Sequence, residues 1–126
     1  MMRVYLVDDG KILGEMLLEE GIEPDDMGFA KHDTYVYDDG EIKGFYTMRF
    51  EHGLPYLVHF CVGKKWRDTR IVRTMIRHFS ERFRQYGTAI LNVPEKRDDI
   101  KKIVEWFFKA KPYARKEGHL FYKVEV

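Results

Sequence analysis

The side chains best suited to chemistry cluster in one stretch of this chain. Lys64, Lys65, Arg67, Arg70 and Arg73 follow an apolar run and lead into an amphipathic one. A strand that feeds a helix through such a loop offers backbone N–H groups, and the positive end of the helix dipole, to a phosphate-bearing ligand. The cations add side-chain donors to the same anion. Just upstream, His59 and Cys61 are two residues apart and would share one face of a strand. Cys61 is the sole cysteine, so no intramolecular disulfide and no CxxC metal spacing is available. It reads as a small buried hydrophobe. The five histidines lack a spacing such as HExxH, and no metal is expected.

These residues need elements to hold them. Residues 56–62 (YLVHFCV) form a strand that is apolar on both faces, as a covered central strand would be. Strict alternation puts Tyr56, Val58, Phe60 and Val62 on one face and Leu57, His59 and Cys61 on the other. A loop over residues 64–68 follows, then a helix from Asp68 or Thr69 to Gln85. Its core stripe is Val72, Met75, Ile76, Phe79 and Phe83, and Arg70, Arg73, Arg77 and Arg84 form the outer stripe. Gly87 is a good stop.

Upstream, residues 3–7 suggest a first strand. Asp8 or Asp9 would cap a helix over 11–20 that turns Ile12, Leu13, Met16 and Leu17 to one inward face and leaves Glu15 and Glu19 outside. Gly21 ends it. Residues 21–33 are loop-like, with a short helical turn around Pro24 to Phe29. Residues 34–37 and 42–50 flank Asp38-Asp39-Gly40-Glu41 as a hairpin, because Asp-Gly tolerates the positive φ that a tight turn needs. His52-Gly53-Leu54-Pro55 makes the next turn. Downstream, residues 88–93 form a strand ended by Pro94. A helix over 99–110 is capped by Asp98 or Asp99 and stopped before Pro112, and two strands, 113–115 and 119–124, close the chain. The order is β-α-(α)-β-β-β-α-β-α-β-β, a single α/β domain over residues 1–126 with a mixed, mostly antiparallel central sheet and flanking helices.

At 126 residues and 44% hydrophobic, the chain fits one domain with one core. No apolar run approaches the roughly 20 residues that cross a bilayer, and no signal-peptide pattern opens it. A protein of the cytoplasm, without membrane contact, is expected. The net charge of +1 hides an asymmetry. Residues 1–51 hold 13 acidic against 5 basic side chains, or −8; residues 52–126 hold 8 against 17, or +9. Such polarity suits an anionic partner at the basic face, internal complementarity, or self-association as a homodimer.

The element order resembles the GNAT N-acetyltransferase superfamily over nearly the whole chain. The hairpin VYDDGEIKGF is similar to the family's second and third strands, with Gly44-Phe45 where a Gly-aromatic pair often opens the third. Strand 56–62, its loop and the next helix look like the family's cofactor segment. There an Arg/Gln-x-x-Gly-x-Gly/Ala loop receives the pyrophosphate of acetyl-CoA. On this chain that motif falls on Arg67, Asp68, Thr69, Arg70, Ile71 and Val72. Arg67 matches; Arg70 and Val72 stand where the glycines are expected. The resemblance implies acetyl-CoA as cofactor, held by these six residues with Phe60, Val62, Lys64, Lys65, Arg73 and Asn92. The family's proton-donating tyrosine aligns with Phe108, so Tyr113 is the donor candidate. His59 is the candidate base for an attacking amine, with Glu51 and His52 as alternatives. The short length and altered loop also look like acetyltransferase-like proteins of tailed bacteriophages, which would act in the host cytoplasm or the virion.

Two functions follow from that resemblance. One is acetyl transfer from acetyl-CoA to a small-molecule or protein amine by direct attack. The other is a catalytically degenerate GNAT-like module that binds a protein or nucleic acid through its basic face.

Overall fold

The computed structural model describes residues 1–22, 33–67 and 69–126, with the side chain of Thr69 also left aside. The expected helical turn around Pro24 to Phe29 lies outside the described residues. Seven strands form one sheet: β1 (Met2–Val4), β2 (Asp33–Asp38), β3 (Ile42–Glu51), β4 (Leu54–Val62), β5 (Thr88–Pro94), β6 (Ala114–Lys116) and β7 (His119–Glu125). Their spatial order is β1-β2-β3-β4-β5-β7-β6. Every neighbouring pair is antiparallel except β4 and β5, which run parallel. Among the described residues the α-helices are α1 (Gly10–Glu19), α2 (Thr69–Arg82) and α3 (Asp98–Phe108).

The two faces of the sheet are covered differently. Against one lie α2 and α3; Val72, Met75, Ile76 and Phe79 of α2, Phe83 just after it, and Ile100, Ile103 and Val104 of α3 share a core with Tyr46, Met48, Leu57 and Phe60. All five predicted α2 core residues are no more than 1% exposed. Against the other face lies α1, with Leu13, Met16 and Leu17 set on Val36, Ile42, Phe45 and Cys61. Gly44 lets α2 pack closely on its face of the sheet. A Cβ there would meet Met75 Sδ at 2.8 Å and the Cys61 carbonyl oxygen at 2.9 Å.

Two expectations are corrected. The first strand is shorter than residues 3–7, because Asp9 draws the chain into a 3₁₀ turn over Val7–Asp9. Its carboxylate accepts the Leu6 N–H at 2.8 Å and two hydrogen bonds from Arg3, at 2.8 and 3.0 Å. So engaged, the Asp9 side chain does not cap α1.

The second correction concerns β4. Thr47 pairs with His59 and Met48 with Leu57, which leaves Val58 as an extra residue. Such a bulge reverses the alternation beyond it. Leu57, Phe60 and Val62 therefore share the α2–α3 core, while Cys61 faces α1. His59, opposite Thr47 and in step with Cys61, takes the α1 face as well.

Candidate active site

The central parallel pair is short. Tyr56 pairs with Ile90 and Leu57 with Leu91, and beyond these two the strands diverge. From Val58 onward the peptide edge of β4 that faces β5 is not used by that strand, as an extended amide-bearing ligand would require. The gap opens on the α1 face as a cavity of about 260 Å³, lined by Tyr56, His59, Phe60 and Asn92 together with Arg49 and His119.

Inside it, burial pushes the Tyr56 hydroxyl above its ordinary pKa, and the nearby Glu51 charge adds to this; Arg49 and a hydrogen bond from Asn92 pull it back. The Arg49 guanidinium lies 4.9 Å over the Tyr56 ring and pairs with Glu51. Burial also pushes the Cys61 thiol up to about 12. It stays protonated at neutral pH and is no nucleophile.

At the mouth of the gap, Arg67 after β4 and Arg97 after β5 meet on one carboxylate. Glu20, at the end of α1, accepts from Arg67 Nη2 at 2.6 Å and from Arg97 Nη1. Arg97 is only 6% exposed. Burial works against its charge, but the Asp99 hydrogen bonds and the Glu20 charge hold its pKa above the ordinary value. Next to this clasp, Glu19 accepts the Lys64 backbone N–H at 3.4 Å. The ends of β4 and β5 are thus bridged by α1.

Outside the clasp a basic groove is lined by Lys43, Lys65, Trp66, Arg67 and Arg70. Trp66 has both Lys43 Nζ and Lys65 Nζ 5.9 Å from its ring centre. Val72, by contrast, points into the core, so the residue at the motif's last position does not crowd the groove. Helix α2 begins at Thr69, so its first turn starts beside the groove that Arg70 lines.

The structure brings the predicted residues into two groups. His59, Phe60 and Asn92 line the inner cavity, and Lys65, Arg67, Arg70 and Ile71 line the groove. Lys64 lies in a third hollow, against α1. Val62 is a core residue. Arg73 stacks over Trp106 of α3 at 5.3 Å, away from the groove. Asp68 lies outside the described residues. Tyr113 is 60% exposed and does not line the cavity. Phe108 packs on Phe79. Sequence reasoning missed Arg49, Tyr56, His119, Glu20 and Arg97. None has a telling spacing, and Glu20 and Arg97 are 77 residues apart.

A seven-stranded sheet of this order, with its one parallel pair splayed, is the fold of the GNAT N-acetyltransferases. No family model matches the sequence, and no curated protein matches it. Solved structures do. The ribosomal-protein-S18-alanine N-acetyltransferase of Escherichia coli superposes with a TM-score of 0.79 at 11% identity, covering 100% of this chain and 93% of that one. The PaiA N-acetyltransferase of Thermoplasma acidophilum, in complex with coenzyme A, gives 0.78 at 11%, covering 100% and 98%. A GNAT superfamily phosphinothricin acetyltransferase of Sinorhizobium meliloti, in complex with acetyl-CoA, gives 0.77 at 12%, covering 100% and 88%. At such identities the likeness establishes the fold.

Proposed function

We propose that this chain is an acetyl-CoA-dependent N-acetyltransferase whose reaction takes place in the gap between β4 and β5. The observation that carries the reading is the coincidence of three features along one path: a basic groove at the start of α2, a β4 edge from which β5 diverges after Leu57, and a cavity with a histidine and a tyrosine. A ligand with phosphates at one end and amides along an extended arm matches that path in order.

Lys65, Arg67 and Arg70, with the N–H groups of the first turn of α2, would hold the phosphates. The β4 edge around Phe60 would hold the arm. When bound, acetyl-CoA supplies an activated acetyl thioester. His59 is the proposed base: imidazole is the side chain that ordinarily exchanges protons near neutral pH, and it lines the cavity. Tyr56, kept protonated by burial, is better placed than Tyr113 to return a proton to the departing sulfur. The phosphates must also compete with Glu19 and Glu20 for the loop.

Calorimetry tests this first. A well-folded protein that takes up no acetyl-CoA at sub-millimolar concentration would overturn the proposal. If it binds, His59→Ala is expected to lower kcat by about a hundredfold or more, the usual worth of a positioned base, while leaving acetyl-CoA affinity nearly unchanged.

A further inference from the structure

Three buried side-chain atoms lack a hydrogen-bond partner among the described residues: Arg49 Nε, Asn92 Oδ1 and His119 Nδ1. They belong to three different strands, yet all three residues line the same cavity. An orphaned buried polar atom costs about 1–3 kcal/mol, and folded proteins keep few of them. Three gathered in one cavity form a socket whose partners a ligand would bring.

Their chemistry restricts that ligand. Arg49 Nε can only donate, and Asn92 Oδ1, an amide carbonyl oxygen, can only accept. His119 Nδ1 can do either. Arg49 lies 4.9 Å over the Tyr56 ring, and Asn92 lines the same cavity, so donor and acceptor stand around one aromatic side chain. A fitting ligand offers an N–H donor and, a short distance away, an oxygen acceptor. A plain alkylamine provides only the first and a simple carboxylate only the second. The cavity has room for a group about the size of an amino acid.

We propose that the acceptor is an α-amine, an amino group adjacent to a carboxyl or carbonyl oxygen. Asn92 Oδ1 receives the amine N–H, Arg49 Nε donates to the oxygen, and His119 makes the third contact. This rests on the acetyltransferase reading of the cavity. In the transfer, a bond forms between the α-nitrogen and the acetyl carbon as the thioester C–S bond breaks. One proton leaves the nitrogen and one joins the thiolate. Free amino acids and peptide N-termini share this chemistry.

The test is an NMR titration of the full chain with alanine, an alanyl dipeptide, propylamine and propionate, with acetyl-CoA binding measured separately. Alanine, the dipeptide or both are expected to shift Asn92 and β7 amides and to bind at least about tenfold more tightly than propylamine or propionate, as loss of one buried contact implies. A preference between the first two identifies the source. Arg49→Met is expected to weaken that binding by about tenfold or more while acetyl-CoA affinity holds. Acetyl-CoA binding with no response to either α-amine, or propylamine matching alanine, overturns the proposal and spares the acetyltransferase reading. α-Amine binding without acetyl-CoA binding upholds the socket and removes the acetyltransferase reading. Unchanged α-amine binding in a folded Arg49→Met protein would also overturn it.

Discussion

Tyr46 and His78 show how a single polar contact is tolerated in the α2–α3 core. The Tyr46 hydroxyl lies 2.6 Å from His78 Nδ1, and the ring of Tyr46 is fully buried. Burial pushes the Tyr46 pKa far above its ordinary value, so the hydroxyl donates and Nδ1 must accept. That arrangement requires a neutral imidazole. Burial, and then the positive charge of Arg82, push the His78 pKa below its ordinary value. The sign of the linkage follows. Above about pH 6.5, the unfolded pKa, folded and unfolded states both carry a neutral imidazole and stability is complete. As pH falls through that value the unfolded chain takes a proton that the fold resists, and stability is lost. Melting temperature is expected to drop by a few degrees between pH 7.5 and 5.5, and His78→Gln should flatten that part of the profile. An identical slope in the variant would refute the assignment. The pattern of α2 revealed its buried stripe, but not that His78 on its margin would find Tyr46, 32 residues away.

Helix α1 illustrates what an element can do that its own pattern does not announce. The amphipathic reading placed Ile12, Leu13, Met16 and Leu17 inward and set Glu19 outside; Leu13, Met16 and Leu17 are buried, whereas Ile12 is 43% exposed. Yet Glu19 and Glu20 end the helix where its dipole is negative, an unfavourable place for carboxylates. The Lys64 N–H, Arg67 and Arg97 offset that cost. If phosphates are to use the same loop, Glu20 is their internal competitor. Glu20→Gln is expected to raise acetyl-CoA affinity by about tenfold, as release of one charged partner would. It should also lower unfolding free energy by about 1–3 kcal/mol, because the buried Arg97 loses one of its two carboxylates. Calorimetry and urea denaturation read the two effects. Unchanged affinity would place the clasp off the phosphate path. Strand β4 carries the opposite lesson. Its residues are apolar on both sides, so a one-residue bulge at Val58 violates no visible alternation, and the face of His59 could not be read from the pattern.

Across the whole molecule, the acidic first half and basic second half meet at these contacts. Glu20 engages Arg67 and Arg97, and Glu19 engages the loop at Lys64. Part of the asymmetry is therefore internal complementarity. The outer arginines of α2 do not form a single patch either. Arg70 lines the groove beside Trp66, while Arg73 is stacked on Trp106, which is 57% exposed. With a net charge of +1, the field available to a polyanion is small. A labelled DNA duplex at physiological salt is expected to bind no more tightly than the roughly micromolar range of non-specific association. Fluorescence anisotropy showing nanomolar, salt-sensitive binding lost in Arg70→Ala would favour the binding-module reading instead.

The local determinants were legible in the sequence: the Asp-Gly hairpin, the core stripe of α2 and most of that of α1, the order of strands and helices, and the cationic loop before α2. Each rests on turn residues or a periodicity that neighbours along the chain express by themselves. Tertiary structure alone decided where β4 and β5 part, which face His59 takes, and how Arg49, Tyr56, Asn92 and His119 come to share one cavity. Those outcomes depend on a single extra residue in β4 and on strands brought together from distant parts of the chain. Periodicity within one segment carries no information about either.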